Sequence, residues 1–318
     1  MFSKFKGFSL VELMVAMVIS LFLSAGLFSM FSMSSRNVIT TSQFNQLQEN
    51  GRIALALIER DVSQLGFMGD ITGTDFIVGV NTTVDAAISG TDCIGAGLNN
   101  ASLPNTEAAH FRTLWGYENG VSTQSLACLP DGVRDKTDVL QIKRFIGPSV
   151  AAGDDEGYYV SATSSQAIFF NNDTPSATLT NARIWEYQHH VYFIANDDNG
   201  IPVLRRKTLT ENGMTNDEQL VEGIENMRIL YGFDNDGDST PDSFMPVQNV
   251  TSDMWDQVTE QIVALRIYLL VRATEADTSY TNNTVYTLGD KTILAANDDF
   301  RRKVVSTTIV LKNPVLIR

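Results

Sequence analysis

Oxygen-bearing residues are spaced along the stretch DNDGDSTPD, residues 234–242, in the way that calcium ligands are spaced. Asp234, Asp236, Asp238 and Asp242 stand at positions one, three, five and nine, and Thr240 offers its carbonyl at position seven. These are the oxygen-donor offsets of an EF-hand-like loop. The stretch departs from that pattern, because glycine stands at position four and position twelve is not Glu. Calcium is the candidate cofactor, and a solvated acidic hairpin loop is the alternative.

A single carboxylate in an apolar segment is the second candidate. The run from Phe8 to Met33 is apolar or small apart from Glu12. As a helix it would be about 39 Å long, which is enough to cross a hydrocarbon core of about 30 Å. A carboxylate at mid-membrane depth costs about 2.5–3.5 kcal/mol. Glu12 therefore needs a role that offsets this cost.

The flanks of the apolar run predict its orientation. Lys4 and Lys6 precede it, so the positive-inside rule predicts a cytoplasmic N-terminus and an exported body. A cleavable secretory signal cut near Gly26 is the alternative. The length of the run, its internal Glu12 and the amphipathic pattern that follows it argue against a cleavable signal.

The helical pattern continues beyond the apolar run and becomes amphipathic over residues 34–66. Gly51 weakens the helix locally, and Gly66 and Gly69 are predicted to end it. Apolar residues recur at helical spacing and mark one buried stripe that packs on the chain's own head: Phe44, Leu47, Ala54, Leu57, Ile58, Val62 and Leu65.

The rest of the chain, residues 67–318, predicts a mainly antiparallel β head, so the fold class is α+β. Alternating apolar residues predict strands over 263–271 and 305–311, and shorter strands fit 139–146 and 167–171. A hairpin is expected to turn at Asn199-Gly200. Residues 70–136 are rich in Gly, Asn and Thr and predict loops with short strands.

The chain's two cysteines, Cys93 and Cys128, fall in this loop-rich region. With an exported body, a disulfide between them is the expected state, and it would stabilise the fold by about 3–4 kcal/mol in the chain-entropy model. A zinc site would need more ligands, and the histidines show no zinc spacing.

Composition and motifs argue against two functional classes. The 318-residue chain has a net charge of −14, whereas nucleic-acid binding needs a basic stripe. No Gly-x-Ser-x-Gly elbow or phosphate loop occurs, and His189 and His190 are adjacent in a predicted strand. Their imidazoles therefore point to opposite faces and cannot share a metal. We assign no catalytic residue and expect no enzyme.

The N-terminal stretch KGFSLVELMVAM, residues 6–17, resembles the prepilin signature of type IV pilins and type II secretion pseudopilins. The resemblance implies a leader of residues 1–7, cleavage by the prepilin peptidase after Gly7, and methylation of the new N-terminus at Phe8. The assembly helix would then be residues 8–33. The resemblance also implies that Glu12 pairs with the terminal amine of a neighbouring subunit during assembly.

Four further stretches resemble the PilW family of minor pilins. They are LQENGRIALALIERDVSQLGFMG (47–69), FRRKVVSTTIVLKNPV (300–315), and the pair LVEGIENMRILYGFD (220–234) and VTEQIVALRIYLLVRA (258–273), which are also similar to J-type pseudopilins. The likeness implies a pilin-like fold and a role in pilus assembly or priming, in the tip complex.

The resemblance also implies partners and a location. The partners would be other minor and major pilins, the prepilin peptidase and the inner-membrane assembly machinery, with a tip adhesin as a further candidate. The protein would be a single-pass inner-membrane protein before assembly and would then reach the pilus surface. The alternatives are a type II secretion tip pseudopilin and a pilin-stemmed adhesin or ligand-binding head.

Overall fold

The computed structural model describes residues 7, 9–71, 75–107, 109–172, 174–258 and 260–313. One long N-terminal helix is followed by a large, mainly antiparallel β head. This is the α+β, pilin-like fold that the sequence predicts. The chain divides into two compact units, residues 1–46 and 47–318, and helix α1 runs through the boundary between them.

Helix α1 spans Leu10–Val62. Its first part is apolar and exposed, as the segment from Phe8 to Met33 predicts. Its last part has the predicted amphipathic stripe from Leu47 onward, since Leu47, Ala54 and Ile58 are fully buried in the head unit, whereas Phe44 is exposed.

Gly51 lies where α1 and the head come closest. A Cβ placed on Gly51 would lie 2.9 Å from Val305 Cγ2 and 3.1 Å from Val271 Cγ2. The glycine therefore does more than weaken the helix, because it allows the helix backbone to approach these two valines. A larger residue at this position would push the helix away from the sheet.

The helix ends four residues earlier than predicted. Residues 63–66 are turns, because Gln64 N and Leu65 N donate to carbonyls three residues back rather than four. Gly66 and Gly69 then adopt φ angles of 78° and 63°. Glycine adopts such positive φ angles without steric cost, and they turn the chain away from the helix.

The head contains an eight-stranded and a four-stranded sheet within the described residues. The larger sheet has the order β1-β5-β4-β6-β3-β2, with β7 paired to β6 and β8 paired to β7. The smaller has the order β10-β9-β11-β14, and β12 with β13 forms a separate hairpin. Of the named strand pairs, β1 with β5 is parallel and the others are antiparallel.

The strands are β1 (Thr82–Val84), β2 (Leu114–Glu118), β3 (Asp138–Val150), β4 (Tyr158–Ala162), β5 (Ala167–Phe170), β6 (Arg183–Asn196), β7 (Pro202–Thr208), β8 (Glu218–Glu222), β9 (Ile224–Asp234), β10 (Ser243–Pro246), β11 (Gln261–Arg272), β12 (Tyr286–Leu288), β13 (Lys291–Ile293) and β14 (Arg302–Val310).

The strand predictions are largely confirmed. Residues 139–146 and 263–271 lie within β3 and β11, and residues 167–171 and 305–311 extend one residue beyond the ends of β5 and β14. The predicted hairpin joins β6 to β7, with Gly200 at φ 76° in its turn. A short helix, α2 (Ser252–Trp255), precedes β11.

The loop-rich part of the head is held by the predicted disulfide. Cys93 and Cys128 are bonded to each other, with their Cα atoms 4.7 Å apart. Both are buried, and the described part of residues 70–136 otherwise contributes β1, β2 and one short 3-10 turn. The cross-link replaces strand pairing as a restraint on this segment.

Candidate functional site

The predicted processing site lies just before helix α1. Gly7 has open space around it, with no atom within 4 Å of where a Cβ would be placed. Phe8, the predicted methylated residue, and residues 1–6 of the predicted leader lie outside the described residues. Cleavage after Gly7 stays a prediction.

Glu12 forms a capping box with Ser9, which the sequence reasoning missed. Ser9 N donates to Glu12 Oε2 at 2.8 Å, and Glu12 N donates to Ser9 Oγ at 3.2 Å. Ser9 O accepts from Leu13 N, so Ser9 is the N-cap and Glu12 is the third helical residue. The signal was readable, since Ser-x-x-Glu before an apolar run is a helix-start signature. Two otherwise unpaired helical N–H groups are satisfied in this way.

Beyond this cap, α1 exposes a continuous apolar surface. It is long and apolar enough to cross a membrane, and none of its most apolar stretch is buried. Exposed large side chains continue from Leu10 to Ile39. A patch of this size on one helix marks a membrane or protein interaction surface.

The other end of α1 carries a buried polar cluster, which we call the helix-docking cluster (Asp61, Gln64, Arg144, His190 and Tyr192). Asp61 is 4 % exposed. Arg144 Nη2 donates to Asp61 Oδ1 at 2.7 Å, and Tyr192 OH donates to Oδ2 at 2.5 Å. His190 Nδ1 also lies 2.5 Å from Oδ2, and Arg144 Nη1 donates to Gln64 Oε1 at 2.6 Å. The cluster joins the end of the helix to β3 and β6.

The charge of Asp61 is stabilised despite its burial. Burial alone would raise the pKa of this carboxyl, but contacts from His190, Tyr192 and Arg144 hold it well below its usual range. Because Asp61 falls among ordinary charged residues of an amphipathic helix, this cluster could not be predicted from the sequence.

The adjacent histidines point apart, as predicted. His189 Nδ1 lies 2.9 Å from Ser102 Oγ and its Nε2 lies 2.8 Å from Gln141 Nε2, whereas His190 faces Asp61. Both rings are buried. Each is a hydrogen-bonded core residue, on opposite faces of β6.

The acidic loop joins β9 to β10 and brings part of the predicted ligand set together. Carboxylate oxygens of Asp234, Asp236 and Asp242 all lie within 4.8 Å of one another. Asp234 also accepts hydrogen bonds from Gly237 N at 2.6 Å and Ser239 N at 2.9 Å, which fold the loop around it.

The other two predicted ligands behave differently. Asp238 Oδ1 accepts from Thr240 N at 2.7 Å and Thr240 Oγ1 at 2.5 Å, so this carboxylate is engaged within the loop. Glu260, next to β11, lines the same cleft as Asp234 and Asp236. The pairing of β11 with β9 brings this side chain to the cleft, although it is not one of the three carboxylates that lie within 4.8 Å of one another. Calcium binding stays a prediction.

Comparison with known families gives two matches. Residues 2–28 match the prokaryotic N-terminal methylation motif, which includes Gly7, Phe8 and Glu12. Residues 191–313 match the model described as type IV pilus-assembly protein W, which extends from the second half of β6 through β14 and includes the acidic loop. No curated protein and no solved structure matches the chain significantly.

These matches agree with the fold. The methylation motif coincides with the start of a long apolar helix, and the second match covers both strands and loops of the β head. The prepilin motif, the PilW match over residues 191–313 and the helix-plus-β-head fold together support the assignment of the chain as a type IV pilus minor pilin of the PilW family.

Proposed function

We propose that this minor pilin primes fibre growth from a complex at the pilus tip. The observation that carries the proposal is the pairing of an exposed apolar helix with a large head. The helix presents its apolar side chains from Leu10 to Ile39 to whatever surrounds it, which suits a bilayer first and neighbouring pilin helices afterwards. The head unit spans residues 47–318. A head of this size is hard to repeat along a thin fibre, but a single copy can be accommodated at the end of the fibre.

Glu12 supports a specific step in this role. Its Oε2 accepts from Ser9 N, whereas Oε1 accepts no hydrogen bond within the part of the chain that the structure describes. Oε1 can therefore receive the terminal amine that cleavage creates on another subunit. In lipid, such a pair satisfies both charges and fixes the register of the two helices. Before assembly, the protein would be held in the inner membrane with its N-terminus in the cytoplasm.

The proposed partners follow from this sequence of events. They are the prepilin peptidase, the inner-membrane assembly machinery, other minor pilins and the major pilin, with a tip adhesin as a further candidate. Pilin families are typically non-enzymatic, and we propose no catalytic activity for this chain.

Counting pili and subunits tests the proposal. Deletion of the gene should reduce surface pili, and the protein should be present in sheared fibres at a small fraction of the major pilin, as measured by quantitative mass spectrometry. Unchanged piliation would contradict the priming role, and near-equal stoichiometry would contradict the tip position. If deletion instead blocks protein secretion and leaves pili unchanged, the alternative of a type II secretion pseudopilin replaces the proposed role in pilus priming.

A cleft in the head favours a second candidate function, a ligand-binding head on a pilin stem. The cleft has a volume of about 260 Å³, and its lining residues carry no formal charge. Trp115, Tyr117 and Trp255 contribute to it together with Gln248 and Ser252. Hydroxyl, amide and aromatic groups suit a neutral polar ligand such as a sugar. Binding of the purified protein to a glycan array, abolished by Gln248→Ala, would support this function.

A further inference from the structure

Strand β14 presents one long free edge. It pairs with β11 in unbroken register from Arg302–Arg272 to Val310–Ala264. Leu311 N donates to Val263 O at 2.8 Å, and bonded and non-bonded residues alternate along an antiparallel pair. The odd-numbered residues of β14 therefore bond to β11, and the even-numbered ones direct their N–H and C=O groups away from it. No hydrogen bond from a described residue reaches these outward groups.

This edge lacks the usual protection against strand pairing. Its sequence from Val304 to Val310, VVSTTIV, contains no charge, proline or glycine, and all its residues except Ser306 are β-branched. Natural edge strands are normally short, charged, bulged or interrupted by proline. Three other edges in the head follow that rule: β1 has three residues, β8 carries Glu218 and Glu222, and β10 ends at Pro246, whereas the charges of β14 are confined to its first two residues, Arg302 and Lys303. Ser306, Thr308 and Val310 are exposed, so the described part of the chain does not cover the sheet face on which their side chains lie.

The direction of the edge limits what can pair with it. Gly51 of α1 lies against Val305, and further along both segments Asn313 Nδ2 donates to Leu65 O at 3.1 Å. Within the head unit, β14 therefore runs in the same direction as the last turns of α1.

Two copies anchored in one membrane are poor partners for each other at this edge. Antiparallel pairing of two β14 strands would turn the last turns of α1 in the two heads in opposite directions. Parallel pairing in register fails as well, because identical edges place their outward groups at the same heights, whereas parallel ladders need them offset by one residue.

We propose that the free edge of β14 is completed by an extended, uncharged strand from the head of a different pilin subunit. The inference rests on the proposed function, since it names the contact by which this head joins its neighbours. Strand addition gives affinity through main-chain hydrogen bonds. The absence of charge from Val304 to Val310 allows a second strand to approach without repulsion, although the whole chain carries −14.

Photo-crosslinking in piliated cells tests the contact directly. A photoreactive residue at Ser306 of the full chain should form an adduct with another pilin subunit, identified by mass spectrometry. The matched control is the same residue at Gln219, which is exposed on β8. An adduct with a second copy of this chain, equal yields at both positions, or no adduct at Ser306 would overturn the proposal.

Matched substitutions at one position separate strand addition from folding. Ser306→Pro removes an outward N–H that β11 does not use, so the fold should tolerate it. It should lower co-purification with other minor pilins about tenfold, because a main-chain bond is lost and the ring blocks the incoming strand. Ser306→Lys should act similarly, and Ser306→Thr should behave as wild type. Thermal unfolding of each purified variant checks the fold.

The outcomes distinguish this inference from the proposed function. If Ser306→Pro and Ser306→Lys are stable and co-purify as wild type does, strand addition at β14 is wrong, whatever gene deletion does to piliation. If an adduct forms at Ser306 but deletion leaves the pili unchanged, the proposed priming role is wrong and the contact stands.

Discussion

Asp61 at the end of α1 and Arg144 in the middle of β3 form a buried ion pair, with Arg144 Nη2 2.7 Å from Asp61 Oδ1 and both side chains 5 % exposed. The pair lies 83 residues apart in the sequence. It joins the C-terminal end of α1 to the larger sheet of the head. Removing one partner would leave the other as an uncompensated buried charge.

Asp61→Asn should therefore destabilise the head strongly. We expect a loss of about 3–5 kcal/mol in the free energy of unfolding, because Arg144 keeps its charge without its counter-ion. Urea denaturation of the full chain in detergent measures it. Glu59→Gln is the matched control, since Glu59 is exposed on the same helix and should change stability by about 0.5 kcal/mol or less. Equal midpoints for the two variants would contradict the cluster's role.

The same carboxyl predicts acid sensitivity. The pKa of Asp61 is lower in the folded protein than the value of about 3.9 in an unfolded chain. Its contribution is therefore complete above pH 4 and is lost as the pH falls below 4. Urea midpoints measured from pH 7 to pH 3 should fall at the acid end, and less steeply in Asp61→Asn. A slope unchanged by the substitution would show that other carboxylates account for the acid response.

Three variants separate the two roles of Glu12. Glu12→Gln keeps the capping box, since Gln also serves at this position, but it removes the charge. We expect cleavage and insertion to survive and incorporation into fibres to fall a hundredfold or more, since an unpaired buried charge costs about 3–5 kcal/mol. Glu12→Ala should be equally defective, and Ser9→Ala should incorporate normally. Immunoblots of sheared fibres at matched membrane levels measure this. Normal incorporation of Glu12→Gln would leave the capping box as the residue's role.

Processing can be tested at Gly7. Gly7→Leu should block the prepilin peptidase and leave the leader attached, because the cut is expected between Gly7 and Phe8. Intact-mass measurement of the membrane form decides it, with Gly26→Leu as the control for a secretory-type cut. A wild-type chain that begins at Met1, or just after Gly26, would contradict the prepilin assignment.

The acidic loop should bind calcium weakly. Three carboxylates within 4.8 Å of one another repel, and a cation offsets that repulsion. We expect a Kd of about 10⁻⁴–10⁻³ M by isothermal titration, as in extracellular modules. Asp236→Asn should weaken binding, whereas Asp198→Asn, in the exposed β6–β7 turn, should not. An absence of saturable heat with millimolar calcium would favour the solvated loop.

Local patterns in the sequence predicted those parts of the molecule that depend on near neighbours. Three such patterns each predict an element from residues only a few positions apart. They are the apolar run after Phe8, the buried stripe through Leu47 and Ile58, and the alternation of apolar residues in β11 and β14. The prepilin signature likewise reads directly from Gly7 to Glu12. The pairing of Cys93 with Cys128 was predictable because the chain offers no other choice.

Contacts between distant segments were decided only by the tertiary structure. In the sequence, Asp61 looks like any acidic residue of an amphipathic helix. Only the folding of β3 and β6 against the helix brings Arg144, His190 and Tyr192 into contact with it. Glu260 reaches the acidic loop only because β11 pairs with β9. The free edge of β14 depends on strand order, which periodicity does not encode, since a strand's alternation is the same at the centre of a sheet and at its edge.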